Sequence, residues 1–327
     1  MAKYFVTGAT GFIGSEIVKQ LVGRGHKVIA LVRSPDKAAM LKALGVEMHA
    51  GDITDRETLK TPMTGVDGVF HVAAWYKVGV REPLADQINV DGTRNVLQVM
   101  RTLEIPRGVY TSTVAVFSDT KGVMADESYR YDGPHLSEYD RTKWIAHYRV
   151  AIPKIEAGLP LSIVMPGVVY GPGDTSGMHT ALVDLLRGRL PMTPAKTQFC
   201  WGHIEDTARG HILAMEKGKP GETYIIAGPR HSFEYAFDLA ASIAKVRPPL
   251  LHPGRRAMRA TAAVMSVAGR FLTLPPAITP EALRVLAGTT YLGSNEKAMR
   301  ELGFTARSLD EGMTQSLEYE LRRLGRA

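Results

Sequence analysis

Three glycines spaced G-x-x-G-x-x-G stand within the first fifteen residues, in Val6-Thr7-Gly8-Ala9-Thr10-Gly11-Phe12-Ile13-Gly14. They sit where a strand pattern gives way to a helix pattern. Tyr4, Phe5 and Val6 form a short apolar run before them, and Ile13, Ile17, Val18 and Leu21 recur afterwards at helical spacing. At such a junction Gly8 permits a sharp turn, Gly11 lets backbone amides approach a pyrophosphate, and Gly14 lets helix and strand pack closely. The unpaired N–H groups and the positive end of the helix dipole then face the phosphates. A glycine triplet alone is common. With a strand before it and a helix after it, this one predicts a nucleotide-binding α/β chain.

The pattern that follows extends this expectation. Apolar runs at Lys27 to Val32, Val46 to His49, Gly68 to Val72, Gly108 to Thr111 and Leu161 to Met165 alternate with helical patterns. The helices are expected at Gly11 to Gly23, Pro35 to Leu44, Pro83 to Leu103 and Ser137 to Ala157. Such alternation predicts a Rossmann-type doubly wound parallel sheet with right-handed crossovers. A further strand at Thr223 to Ile226, after a helix from Asp206 to Gly218, predicts a late return to the sheet. The expected division is therefore interleaved, with 1–171 and 203–227 in the dinucleotide-binding domain. Residues 172–202 and 228–327 would form a smaller, mostly helical substrate lobe.

With 327 residues the chain is long enough for one large or two modest domains. Its net charge of +7 does not predict nucleic-acid binding, because the basic residues are scattered rather than interleaved with aromatics in a stripe. The single cysteine, Cys200, excludes an internal disulfide and a cysteine-based metal site, and no metal is expected. That usage and the absence of a visible signal peptide make cytoplasm the default expectation. Ala257 to Leu274 is apolar apart from Arg259 and Arg270. Two arginines, Gly269 and the following Pro275 and Pro276 argue against a membrane span, so a helix packed over the substrate pocket is expected in preference to a membrane-surface helix.

Four segments carry candidate chemistry. Arg33 follows the second strand, where an acidic residue would bind the ribose hydroxyls of NAD; its guanidinium suits the 2′-phosphate of NADP, and Lys37 would add charge. Asp52 and Ile53 follow the third strand, where Asp52 would accept from an adenine amine and Ile53 would cover the ring, although a turn or cap role fits Asp52 equally. Thr111, Ser112 and Thr113 end the fifth strand, and a hydroxyl there would donate to a substrate oxygen. Tyr139 and Lys143 are spaced to share one helix face. An ammonium about 5 Å from the phenol would favour its anion by roughly 3 kcal/mol, making Tyr139 an acid near neutral pH.

Taken together, these pieces resemble the extended short-chain dehydrogenase/reductase family, of the NAD-dependent epimerase/dehydratase type, over nearly the whole chain. The resemblance also rests on Val72-Ala73-Ala74, Ile88-Asn89-Val90-Asp91-Gly92-Thr93, Pro166-Gly167-Val168-Val169-Tyr170-Gly171-Pro172-Gly173-Asp174, His203-Ile204-Glu205-Asp206 and the ending Lys297 to Phe304. It implies a catalytic set of Thr113, Tyr139 and Lys143, with Ser112 as the adjacent alternative. It further implies that Ala73, Ala74, Pro166 and Val168 wall the nicotinamide cofactor, with Val72, Gly167 and Val169 beside them, and that Lys143 binds the nicotinamide ribose. Sugar-nucleotide members of that family carry an arginine near the position of Phe199, which this chain lacks. Phe199 and Trp201 are therefore expected to line a pocket for an uncharged or aromatic small molecule. Together with Arg33 they make the dihydroflavonol 4-reductase-like branch the nearest resemblance. An NADP-dependent carbonyl reductase is the expected activity. The alternatives are an NAD-using sugar-nucleotide epimerase or dehydratase, a hydroxysteroid dehydrogenase-like enzyme, and a noncatalytic NADP-binding regulator. A monomer or a homodimer through the two long helices is expected.

Overall fold

The computed structural model describes residues 1–76, 83–269 and 279–326; the side chain of Lys37 and residues 77–82, 270–278 and 327 lie outside the described residues. Two sheets organise the chain. In sequence order the strands are β1 (Lys3–Thr7), β2 (Lys27–Val32), β3 (Glu47–Ala50), β4 (Gly68–His71), β5 (Gly108–Thr111), β6 (Leu161–Met165), β7 (Val168–Tyr170), β8 (Gln198–His203), β9 (Thr223–Ile225), β10 (Arg230–Ser232) and β11 (Thr290–Tyr291).

The large sheet has the order β3-β2-β1-β4-β5-β6-β9. All its pairings are parallel, with Phe5 in register with Ile29 on one side and Val69 on the other. Helices cover both faces, so its inner strands are buried on both sides rather than alternating between core and solvent. β4, β5 and β6 are buried at every position. The helix Phe12–Gly23 places Ile17, Val18 and Leu21 against the sheet, fully buried, and packs on the helix Ile204–Lys217. As expected, β9 is the late return. The helix Glu57–Met63 was not anticipated, because its apolar positions are few and Pro62 interrupts the pattern.

The two long helices run from 83 to 102 and from 138 to 156. Each contains a π-helical turn, at Gln87–Gly92 and Ala146–Ala151. Such wide turns rotate the side chains that follow them and cluster at functional sites. Both lie beside the ends of β4 and β5.

The second sheet is a small addition to the otherwise mostly helical lobe. β8 pairs antiparallel with β10 and parallel with β11 and β7. Its outer layer is formed by the helices Gly177–Leu186, Phe233–Ala244 and Leu309–Arg323. The apolar stretch near residue 260 forms the helix Arg255–Ala268, which buries Met258 and Ala262 against Leu283 and Ala287. It packs on the helix Pro280–Val285. No helix among the described residues is long and apolar enough to cross a membrane.

Candidate active site

The glycine turn has the shape its spacing predicts. Gly8 has φ +71°, and a Cβ there would lie 2.7 Å from the Ala73 nitrogen. At Gly14 a Cβ would fall 2.1 Å from the Gly8 carbonyl oxygen, so no larger residue fits without separating helix from strand. Gly11 is the helix N-cap and offers no side chain to the first-turn N–H groups, and no acidic residue stands in that turn. Those donors at Phe12 and Ile13, beside exposed Thr10, are therefore left for an anion. The cradle fits a dinucleotide pyrophosphate.

Around it, Thr7 Oγ1 accepts from the backbone N–H groups of Val72 and Ala73, both at 3.2 Å, fixing the loop that ends β4. Ala74 is exposed beyond them. Asn89, on the π turn, closes the same loop: Trp75 donates its N–H to Asn89 Oδ1 at 2.7 Å, and Asn89 Nδ2 donates to Trp75 O and to Thr142 Oγ1. Asn89 was quoted only as part of a resembling segment. Its clamp becomes visible once the two long helices are seen side by side.

Arg33 is exposed at the end of β2 and engages no acidic partner among the described residues. Asp52 forms a turn, with Oδ1 accepting from the N–H and the hydroxyl of Thr54, both at 2.9 Å. Ile53 is buried and packs over Gly92, where a Cβ would meet its side chain at 2.5 Å. Lys37 supplies the backbone of a short helical turn, and its side chain lies outside the described residues.

The catalytic candidates converge at the carboxyl end of β5. Ser137 caps the helix Glu138–Ile145, accepting from the Asp140 N–H at 3.0 Å and donating to Asp140 Oδ1 at 2.7 Å. Tyr139 is half-buried, lies beside the Thr113 hydroxyl, and meets the exposed ring of Tyr76 edge-on at 4.8 Å. Thr113 Oγ1 also accepts from the Ala115 N–H at 3.1 Å. Ser112 points away: its hydroxyl meets His147 Nδ1 at 2.7 Å in the core. Thr113 lies past the end of β5, where the chain leaves the strand as the N-cap of the short turn Val114–Phe117, and its hydroxyl is the one beside the phenol. The Thr111 hydroxyl is engaged as well, at 2.9 Å from His211 Nε2, so what Thr111 turns toward the site is its carbonyl.

Lys143 is 1% exposed and donates to Thr111 O at 2.7 Å and to Tyr110 Oη at 3.1 Å. Its ammonium also lies over the Tyr110 ring, 4.6 Å from the centroid. Burial pulls its pKa down to about 7. Tyr139 moves the opposite way from expectation. Burial raises its pKa, the neighbouring Tyr76 adds to the rise, and the Thr113 hydrogen bond only partly opposes it. The one-face spacing is correct, but the amine is turned toward β5 instead of lowering the phenol.

Phe199 and Trp201 also differ from expectation. They lie on β8, the central strand of the small sheet, and are 5% and 1% exposed. Phe199 stacks on Tyr291, and Trp201 donates Nε1–H to His231 O at 3.1 Å. Pairing on both edges of β8 and the aromatic cover of Phe233 seat both rings in the core. Tyr291 reaches the site itself, donating to Asp140 Oδ2 at 2.9 Å. Pro166 accepts from the Val114 N–H at 3.0 Å, and Gly167 passes so close to β8 that a Cβ would lie 2.1 Å from Cys200 O. Val168 and Val169 follow on β7, half-buried and in register with Trp201 and Gly202.

The model of the NAD dependent epimerase/dehydratase family matches residues 4–227. The chain belongs to that family, among the extended short-chain dehydrogenases/reductases. It is 30% identical over 311 residues to the sterol demethylase protein B of Methylococcus capsulatus, covering 93% of each chain. It is 31% identical over 330 residues to a putative dihydroflavonol 4-reductase of Synechocystis sp., covering 97% of this chain and 94% of that one. The crystal structure of gox2253 superposes with a TM-score of 0.86 at 32% identity, over 100% of this chain and 99% of that one. An enzyme of this family works with a nicotinamide dinucleotide, and the glycine cradle is shaped for one.

Proposed function

We propose that the chain is an NADP-dependent reductase of a ketone or aldehyde on a small apolar or aromatic molecule. The observation that carries this reading is the Tyr139 phenol, beside the Thr113 hydroxyl at the carboxyl end of β5 with buried Lys143 one helical turn on. The bound nicotinamide supplies the hydride. Gly8, Gly11 and Gly14 hold the pyrophosphate, and Arg33, free of any acidic partner among the described residues, suits a 2′-phosphate. Val72, Ala73, Ala74, Pro166, Gly167, Val168 and Val169 wall the cofactor. Tyr139 stays protonated at neutral pH, because burial disfavours its anion, and gives that proton to the carbonyl oxygen as the oxygen gains charge. Thr113 donates to the phenolic oxygen left behind. Lys143, poised near neutrality and held at the Thr111 carbonyl, binds the ribose hydroxyls.

An apolar or aromatic substrate is supported by the exposed Tyr76 ring, which borders Tyr139 in place of the wall expected at Phe199 and Trp201. The names of the two curated relatives favour lipophilic or polyphenolic chemistry. The test is to titrate the protein with NADPH and NADH, then follow loss of the reduced cofactor with aldehydes, ketones and dihydroflavonols. Tighter binding of NADPH and its oxidation by a carbonyl compound are expected. A clear NADH preference contradicts the role given to Arg33.

A further inference from the structure

Tyr110, behind Lys143, is fully buried and stacks on His71 at 5.5 Å between ring centroids. It begins a hydrogen-bond chain whose direction follows from donor and acceptor counting. Thr93 Oγ1 lies 2.6 Å from the Asn89 carbonyl, which can only accept, so the single Thr93 proton is committed there. Toward its other partner, His71 Nε2 at 3.0 Å, Thr93 must accept. His71 is held neutral by burial and by the charge of Lys143, so it carries one ring proton, on Nε2. Its Nδ1 then accepts from the Thr7 hydroxyl at 2.8 Å, and Thr7 Oγ1 accepts from Val72 and Ala73. From the other end, Lys143 donates to the phenol of Tyr110, whose ring stacks on His71 and whose hydroxyl neighbours Thr93. From Asn89 through Thr93 and His71 to Thr7, only one arrangement of protons satisfies every buried polar atom.

We infer that Tyr110, Thr93 and His71 are positioning residues for Lys143, linking its amine to the Val72–Ala73 segment at the dinucleotide cradle. This rests on the role proposed above for Lys143. The chain spans β1, β4, β5 and both long helices, so the cofactor wall and the amine share one rigid network. Removing the phenolic hydroxyl takes an acceptor from the ammonium and leaves the ring in place.

Two measurements test it. In the free protein, long-range ¹⁵N–¹H spectra of the histidines at pH 7 should show His71 protonated on Nε2, whereas His211 should carry its proton on Nδ1, donating to Thr207 O. An Nδ1-protonated or doubly protonated His71 overturns the chain whatever the enzyme does. In the holoenzyme, Tyr110→Phe should lower kcat/KM about tenfold. The alkaline limb of its pH profile should move to lower pH, because an ammonium without that acceptor deprotonates sooner. Thr93→Val should lose less, and the double variant should be no worse than Tyr110→Phe, since both act through one network. A Tyr110→Phe profile superimposable on the wild type contradicts the inference. Failure of the wild type to bind either cofactor would sink the proposed function instead, and the His71 tautomer would still decide the chain.

Discussion

The large sheet and the small sheet hold the same helix by different means. From the large sheet, Lys143 is gripped through a β5 carbonyl and the Tyr110 phenol, in a region whose buried histidines His71, His147 and His211 are all kept neutral by desolvation. From the small sheet's side, Tyr291 holds Asp140, and Glu281 Oε1 accepts from the Glu138 N–H at 3.1 Å. The first set of contacts fixes the amine and the cofactor wall. The second fixes the helix start, and with it the direction of the Tyr139 phenol. Cofactor and substrate functions are thereby separated along barely more than one helical turn. Changes in the glycine cradle should act on cofactor binding, those on the small-sheet side on turnover, and a change at Lys143, where the two meet, on both.

The largest effect should come from the cradle. Gly14→Val would push a side chain into the Gly8 carbonyl, and cofactor affinity should fall at least a hundredfold by fluorescence titration. Near-wild-type affinity would break the division of labour.

Lys143→Met should be next. Turnover should fall by about two orders of magnitude, as for loss of a group that positions a reactant. Stability should move the other way. Holding the charged lysine in the fold when its pKa drops from 10.5 to about 7 costs on the order of 5 kcal/mol below pH 7. The depressed pKa means the unfolded chain binds the extra proton between pH 7 and 10.5, so this cost fades as pH rises through that window. Even after the loss of two hydrogen bonds, the variant should melt about 2 °C or more above the wild type at pH 6. The gain should shrink toward pH 10, and a lower melting temperature at pH 6 would contradict the burial argument.

On the small-sheet side the effect should be milder. Tyr291→Phe removes one hydrogen bond to Asp140, whose pKa burial raises to about 7. It should lower kcat roughly three- to tenfold and leave the cofactor dissociation constant unchanged. A shift in cofactor affinity equal to the loss in kcat would merge the two regions into one functional unit.

The same contrast explains what could be read from the sequence. β1, β2, β4, β5 and β6 are consecutive parts of crossover units, each a buried apolar run, and their order follows from local pattern and handedness. β7, β8, β10 and β11 lie far apart in the chain; β7 and β10 have three residues and β11 two, and their pairing exists only after the chain has folded back. Phe199 and Trp201 look like a ligand wall in the sequence because an aromatic in a pocket and one in a core have the same letter. The Tyr139 and Lys143 spacing predicts a shared face, but the direction of the amine depends on Thr111 O and Tyr110 across the sheet. Neither partner can be inferred from the helix alone. The neutral histidines were equally hidden, since each is defined by a hydroxyl remote in sequence: Thr7 and Thr93 for His71, Ser112 for His147, Thr111 for His211.

The central claim is that Tyr139 supplies the proton while the surrounding residues hold the cofactor. Tyr139→Phe keeps the ring and its edge-on contact with Tyr76 and removes only the hydroxyl. The decisive measurement compares wild type and Tyr139→Phe for NADPH affinity and for carbonyl-dependent NADPH oxidation in the same preparation. Retained affinity with turnover reduced at least a hundredfold is the expected result. Wild-type turnover in the variant would contradict the account.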